Sequence, residues 1–324
     1  MKKIRRSIFC IFLSLGLFLS SCSRVKKAER ELYRSVVLSD IFTKDRSLTL
    51  SGMAEDVCLI DGSENFDETL SKANYCGLFA EDKKEVLYEK NALKKIFPAS
   101  LTKMMTALLT VENCPDLTEK VTVTEEALAG LEEGDSMADL ALGGSYTVED
   151  LLYALIVPSG NDAANVLAIH ISGSIEDFTA LMNERAAELC MVNTHFANPH
   201  GLHAKNHYTT VYDLYLLVRE CMKYDIIRRA ASADQAAVTC SVEDGTTEIQ
   251  EYLSGNSYLR GFTLLPEGLS IVLSKTGYTA KAGRCLILAV QDEKGENYIA
   301  VICGIDTYNG LYEEMNGLLS MIGE

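Results

Sequence analysis

Tryptophan is absent from the 324 residues, and basic residues fall well short of acidic ones, 30 against 46, for a formal charge of −16. That deficit makes the chain's general field a poor match for nucleic-acid phosphates or an anionic lipid surface, so nucleic acid is not expected as a partner. No Cys-x-x-Cys pair occurs among the ten cysteines, which leaves zinc disfavoured. Internal repeats and low-complexity tracts are missing as well. What remains is 48% hydrophobic, enough to bury a substantial core as one large domain with an insertion or as two small ones.

The N-terminus, "MKKIRRSIFCIFLSLGLFLSSC", joins four positive residues to an apolar run from Ile8 to Leu19. Twelve helical residues span roughly 18 Å against the roughly 30 Å of a bilayer core, so an export signal over residues 1–21 is expected rather than a membrane span. Leu19-Ser20-Ser21-Cys22 resembles a bacterial lipoprotein processing site, where cleavage precedes a cysteine that carries the lipid. An ordinary signal peptide cut nearby is the alternative, and Arg5-Arg6 hints weakly at twin-arginine export. The expected location is extracytoplasmic, either lipid-anchored through Cys22 to the outer face of the cytoplasmic membrane or secreted. The eight cysteines beyond Cys22 are expected to be mostly free, because a core of this size does not need disulfides.

Residues 22–70 read as a spacer and 71–324 as the folded domain, with a mainly helical insertion at about 115–230. "CGLFAEDKKEVLYEK" suggests a β-hairpin, and residues 100–113 an apolar helix. "VEDLLYALIV", "DAANVLAIHI" and "IEDFTALMNERAAELCM" each open on acidic residues that suit a helix N-terminus. After residue 268 the pattern turns to strands, "LSIVLSKTG", "RCLILAV" and "YIAVICGI". A last helix should dock on the sheet through Leu311, Met315, Leu318 and Leu319. Strands at both ends with helices between imply one sheet closed by both ends of the chain.

Three short motifs carry potential chemistry. Ser100-x-x-Lys103 follows Pro98 and Ala99, which can set a helix start and put both side chains on one face. A lysine held there, desolvated and near a second cation, could serve as base to the serine. Bringing its pKa from about 10.4 toward 7 costs roughly 4 to 5 kcal/mol, which burial and a neighbouring charge can supply. Ser-x-x-Lys also occurs at Ser23–Lys26, so the pattern alone says little. Ser159-Gly160-Asn161 falls between two helices and reads either as a capped turn or as a loop aimed at a cleft. Its second copy, at 254–256, lacks that setting. Lys275-Thr276-Gly277 ends a strand, where the bare Gly277 would let a peptide lie along the edge and Lys275 with Thr276 could bind a carboxylate.

Together, with 59 and 116 residues between their first members, the motifs match the set found in penicillin-binding proteins and class A β-lactamases. "PASLTKMMTALL", "VEDLLYALIVPSGNDAANVLA", "MNERAAELCMVNTHFANPHGLH", "HYTTVYDLYLLVR" and "SKTGYTAKAG" resemble the serine D-alanyl-D-alanine carboxypeptidases, low-molecular-mass penicillin-binding proteins, from about residue 74 to about 305. The resemblance implies an α+β fold of the DD-peptidase/β-lactamase type, a five-stranded antiparallel sheet flanked by helices with a helical subdomain. It also implies a peptidoglycan stem peptide ending in D-Ala-D-Ala as substrate, β-lactams as covalent inhibitors, and no metal or organic cofactor. Ser100 would be the nucleophile and Lys103 its base. Ser159 would pass a proton to the departing D-Ala and Asn161 hold the peptide carbonyl. Lys275 and Thr276 would bind the terminal carboxylate beside Gly277, and the N–H groups of Ser100 and Tyr278 would form the oxyanion hole.

Some features depart from that pattern. The middle motif is Ser-Gly-Asn rather than Ser-Asp-Asn, and no Glu-x-x-Leu-Asn lies between it and Lys275, so efficient β-lactam hydrolysis of the class A kind is not expected. His195, His200, His203 and His207 cluster in the sequence as metal ligands can, but they fall in "THFANPHGLHAKNHYTT", which resembles the family's Asn-Pro-His-Gly-Leu segment. The chain stops soon after its last strand, so the second β-rich domain and the C-terminal amphipathic anchor of many relatives are expected to be absent. A catalytically idle wall-binding lipoprotein is the competing class of function.

Overall fold

The computed structural model describes residues 56–60, 72–242 and 245–323. The expected export signal, Cys22 and most of the stretch read as a spacer lie outside them. Among the described residues no helix is long and apolar enough to cross a membrane.

β1 (Tyr75–Ala80) and β2 (Glu85–Lys90) form the expected hairpin, and the sheet is completed from the other end of the chain by β7 (Ser270–Thr279), β8 (Gly283–Gln291) and β9 (Asn297–Ile305). All pairings are antiparallel in the order β2-β1-β9-β8-β7, which leaves β7 on an edge. The central strands are apolar on both faces because both are covered. Leu286, Leu288, Val290, Ala300 and Ile302 pack with Leu311, Met315 and Leu318 of the last helix, Tyr308–Leu319. That is the face expected from the sequence.

The segment between the sheet ends holds a 3-10 turn (Ala99–Thr102) and seven helices: α1 (Lys103–Asn113), α2 (Glu125–Leu128), α3 (Val148–Ile156), α4 (Asn161–Ser172), α5 (Ile175–Glu188), α6 (Val211–Cys221) and α7 (Asp225–Ser232). Polar side chains fix several starts. Thr147 and Asp150 form a capping box on α3, while Ser174 and Thr210 cap α5 and α6. The last helix, α8, is capped likewise by Thr307.

A second sheet was not expected from the sequence. β3 (Lys120–Thr122), β4 (Ser145–Thr147), β5 (Gln235–Ser241) and β6 (Thr247–Leu253) pair antiparallel in that order. Two of these strands are three residues long, too short to show a period, and β6 exposes Ile249 and Leu253. Residues 56–58 lie against α6, where the Cys58 N–H donates to Tyr215 and the Tyr212 hydroxyl donates to the Cys58 carbonyl. Cys58, Cys76, Cys114, Cys221, Cys240, Cys285 and Cys303 are free thiols and all are buried, in keeping with the expectation of mostly free cysteines.

Candidate active site

Between the 3-10 turn, the α3–α4 loop and the edge strand β7 lies a cavity of about 480 Å³. Ser100 enters it from the turn rather than from the α-helix expected over 100–113. Ala99 takes a left-handed φ of +48°, the chain tightens through Thr102, and Lys103 opens α1.

Lys103 is fully buried, and its Nζ lies 3.1 Å from Ser100 Oγ, 2.7 Å from Asn161 Oδ1 and 2.9 Å from the His200 carbonyl. Burial, reinforced by the positive charge of Lys275, holds the amine well below the usual lysine range, and the opposing pull of Asp162 and Asp135 is weaker. A neutral amine has two N–H groups and one lone pair. With the N–H groups donated to Asn161 Oδ1 and the His200 carbonyl, the lone pair is left for the Ser100 hydroxyl proton. A buried amine beside the Ser100 hydroxyl is the geometry that a base to the serine needs.

Lys275 is also buried, which brings it down to about 7. Its Nζ donates to Ser159 Oγ and to the Thr276 carbonyl, both at 2.9 Å. Ser159 sits at φ +66°, a left-handed conformation that a serine adopts only under local constraint. Gly160 has a steric reason, since a Cβ there would lie 2.8 Å from Ala138 Cβ, the Ala154 carbonyl and Asp162 Oδ1. The copy at 254–256 borders the same cavity through Gly255, but Ser254 Oγ accepts from the Asn256 N–H and serves a turn.

The Lys-Thr-Gly motif lies inside β7 rather than at its end, because the strand continues to Thr279 paired with β8. A Cβ on Gly277 would stand 3.1 Å from the Ser100 nitrogen and 3.2 Å from Ala99 Cβ. The bare position lets the edge strand touch the serine's own turn, an intramolecular demand that the motif alone does not reveal. Thr276, Gly277 and Tyr278 all line the cavity, and Tyr278 is exposed.

The four clustered histidines take separate partners, and none belongs to a group with metal-donor geometry among the described residues. His200 Nδ1 accepts from the Leu202 N–H, and burial with Lys103 nearby pushes the ring down to about 3. His207 Nδ1 accepts from the Ala197 N–H, so the neutral ring's proton sits on Nε2 and is donated to Thr102 Oγ1 at 2.8 Å. Thr102 in turn donates to the Ala99 carbonyl. Burial brings His207 down to about 4, and it braces the turn that presents Ser100. His195 bonds the Asn206 carbonyl, and His203 meets the Phe97 ring edge-on.

Sequence reasoning missed two further residues. Buried Asp162 accepts from the Ala138 and Leu140 N–H groups and so ties the cavity rim to α4. Arg284 lines the cavity from β8, its guanidinium 4.8 Å from the Tyr278 ring centre and 5.5 Å from that of Tyr308. Its Nε is buried with no hydrogen-bond partner among the described residues. No local pattern announces either residue, since both matter through contacts distant in sequence. A hydroxyl, an amine whose charge burial disfavours, and the side chains of Lys275 and Arg284 around one cavity can form and break an acyl ester.

A family model for D-alanyl-D-alanine carboxypeptidases matches residues 71–307. The D-alanyl-D-alanine carboxypeptidase DacF of Bacillus subtilis is 34% identical over 248 residues, 74% of this chain and 59% of that protein. DacC of Escherichia coli is 33% identical over 243 residues, 73% of this chain and 57% of that one. The chain spans less than two thirds of the length of these relatives. Among solved structures, the Streptomyces K15 DD-transpeptidase superposes with a TM-score of 0.71 at 24% identity, covering 77% of this chain and 96% of that one. A D-alanyl-D-alanine carboxypeptidase from Mycobacterium tuberculosis gives 0.67, also at 24% identity, covering 77% and 90%. These structures share the α+β fold, and the family match runs through all three motifs: the chain belongs to the D-alanyl-D-alanine carboxypeptidase family.

Proposed function

We propose that this protein removes the terminal D-alanine from peptidoglycan stem pentapeptides through an acyl-enzyme on Ser100. The observation that carries the reading is the buried Lys103 amine 3.1 Å from Ser100 Oγ. Ser100 attacks the carbonyl of the penultimate D-Ala while Lys103 takes its proton, and Asn161 and the His200 carbonyl hold the amine in place. The oxyanion is held by the backbone N–H groups of Ser100 and Tyr278, each such donor contributing roughly 3 to 4 kcal/mol. Ser159, anchored on Lys275, relays to the departing amine the proton that Lys103 took from Ser100, and water then releases the acyl group. β-Lactams acylate the same serine.

Mass spectrometry of a pentapeptide ending in D-Ala-D-Ala should show loss of one D-alanine, and fluorescent penicillin should label the wild type but not Ser100→Ala. Unchanged peptide and no label in the wild type would instead favour a wall-binding protein without activity.

The substrate's terminal carboxylate is assigned to the Thr276 hydroxyl and Arg284, within the positive potential of Lys275. A charged hydrogen bond of about 1.5–3 kcal/mol makes Arg284→Leu lose roughly 10- to 150-fold in kcat/KM on peptide. An unaltered KM and kcat would remove Arg284 from the scheme.

The site of action is outside the cytoplasm, with lipid on Cys22 as the anchor. One acyl chain gives only marginal attachment, so the anchor requires a multiply acylated cysteine. Cys22→Ser should move the protein from the membrane to the soluble fraction, whereas unchanged sedimentation would argue against lipidation.

A further inference from the structure

A second group of reactive side chains lies at the far ends of the two helices that begin with Lys103 and Asn161. Cys114 is the C-cap of α1, His170 occupies the last turn of α4, and Glu119 leads into β3. One donor atom from each lies within 4.8 Å of the others. Cys114 Sγ stands 3.7 Å from Glu119 Oε2, and His170 Nε2 stands 3.7 Å from Glu119 Oε1. We propose that Cys114, Glu119 and His170 bind a zinc ion that clamps the end of α1 to the end of α4.

Several observations support the assignment. A tetrahedral zinc with bonds of about 2.0–2.3 Å holds its donors about 3.5 Å apart, and one donor atom from each of the three residues lies within 4.8 Å of the others, a short closure onto a shared ion. The mixed sulfur, nitrogen and oxygen set suits zinc better than magnesium or calcium. Thiolate and carboxylate together cancel the ion's two charges. No lysine or arginine among the described residues pairs with Glu119, and the adjacent Lys120 bonds Ser241 Oγ instead.

The connecting loop is already ordered. Thr118 donates twice to Asp116 Oδ1, the Glu119 N–H donates to the Asp116 carbonyl, and the Glu119 carbonyl accepts from Val148. A cavity of about 300 Å³ bounded by Glu119, Thr124, Val166 and His170 opens beside two of the three donors and gives an ion a way in. Binding replaces the Cys114 S–H bond with a sulfur–zinc bond and releases the proton to solvent. The ion is structural and takes no part in the acyl transfer.

The test is cobalt titration of the chelator-treated full-length protein. A thiolate-to-cobalt charge-transfer band should saturate at one equivalent, vanish in Cys114→Ser, and be displaced by zinc. At zinc 100-fold above its Kd, linkage raises the unfolding midpoint by about 5–10 °C. Glu119 is half-exposed, with 52% of its side-chain surface accessible, so Glu119→Gln should fold and must weaken the band. That variant decides the matter if circular dichroism shows Cys114→Ser to be unfolded. No band in the wild type, a band that survives in folded Cys114→Ser, or undiminished affinity in Glu119→Gln overturns the proposal.

Discussion

Lys103→Met is expected to lower the rate of acylation about a hundred- to ten-thousand-fold, the usual worth of a general base, while the chain still folds. Methionine fills nearly the same volume and carries no charge, so the buried slot in α1 accepts it. The loss should appear as slower penicillin labelling and lower kcat/KM on peptide. The unfolding curve supplies a second readout. Burial depresses Lys103, and it brings Lys275 to about 7, so the folded state binds fewer protons than the unfolded chain, whose lysines titrate near 10.4. The resulting penalty is present in full below the folded-state pKa and is relieved as pH rises toward about 10. Wild-type stability therefore climbs with pH across that window, by up to about 1.4 kcal/mol per pH unit for each lysine. Lys103→Met should flatten its share of the climb. Wild-type labelling rates in the variant would end the role of Lys103 as base, and an unchanged pH slope would mean that it is not buried and discharged.

Gly201→Ala carries the second large effect, although position 201 touches no substrate in the proposed scheme. Its φ is +98°, and a Cβ would fall 1.9 Å from the Ala99 carbonyl oxygen and 3.0 Å from the Ser100 nitrogen. Neither the glycine nor the turn can keep its place. A destabilisation of about 3–5 kcal/mol is expected from overpacking and the left-handed backbone combined. It would appear as an unfolding midpoint lower by roughly 6–20 °C. A shift of 1 Å in a reacting group can cost about 100-fold, so kcat/KM should drop as well. A variant with the wild-type midpoint and rate would show that the turn does not rest on Gly201.

The three motifs were legible because each keeps its reactive groups within three residues on one local element. Ser100 and Lys103 lie one turn apart in any helical geometry, so their meeting needs no knowledge of the fold. The hairpin and the last helix were legible from period alone. What the sequence hid depends on partners far along the chain. The Lys275–Ser159 bond spans 116 residues, the His207–Thr102 bond 105. Asp162 looked like an ordinary helix-start acid, yet its carboxylate holds Ala138 and Leu140 across a loop. Lys-Thr-Gly reads as a strand end because a glycine closes the apolar run, although Tyr278 and Thr279 still belong to β7.

The border of the main sheet has one more consequence. Part of β7 is shielded by α7, since Ser274 Oγ bonds the Ala231 carbonyl. Only Thr276 to Thr279 face the cavity. An opening four residues long admits the tail of one peptide but is too short to recruit a whole foreign strand. Screening along this border would confine a visitor to its last few units.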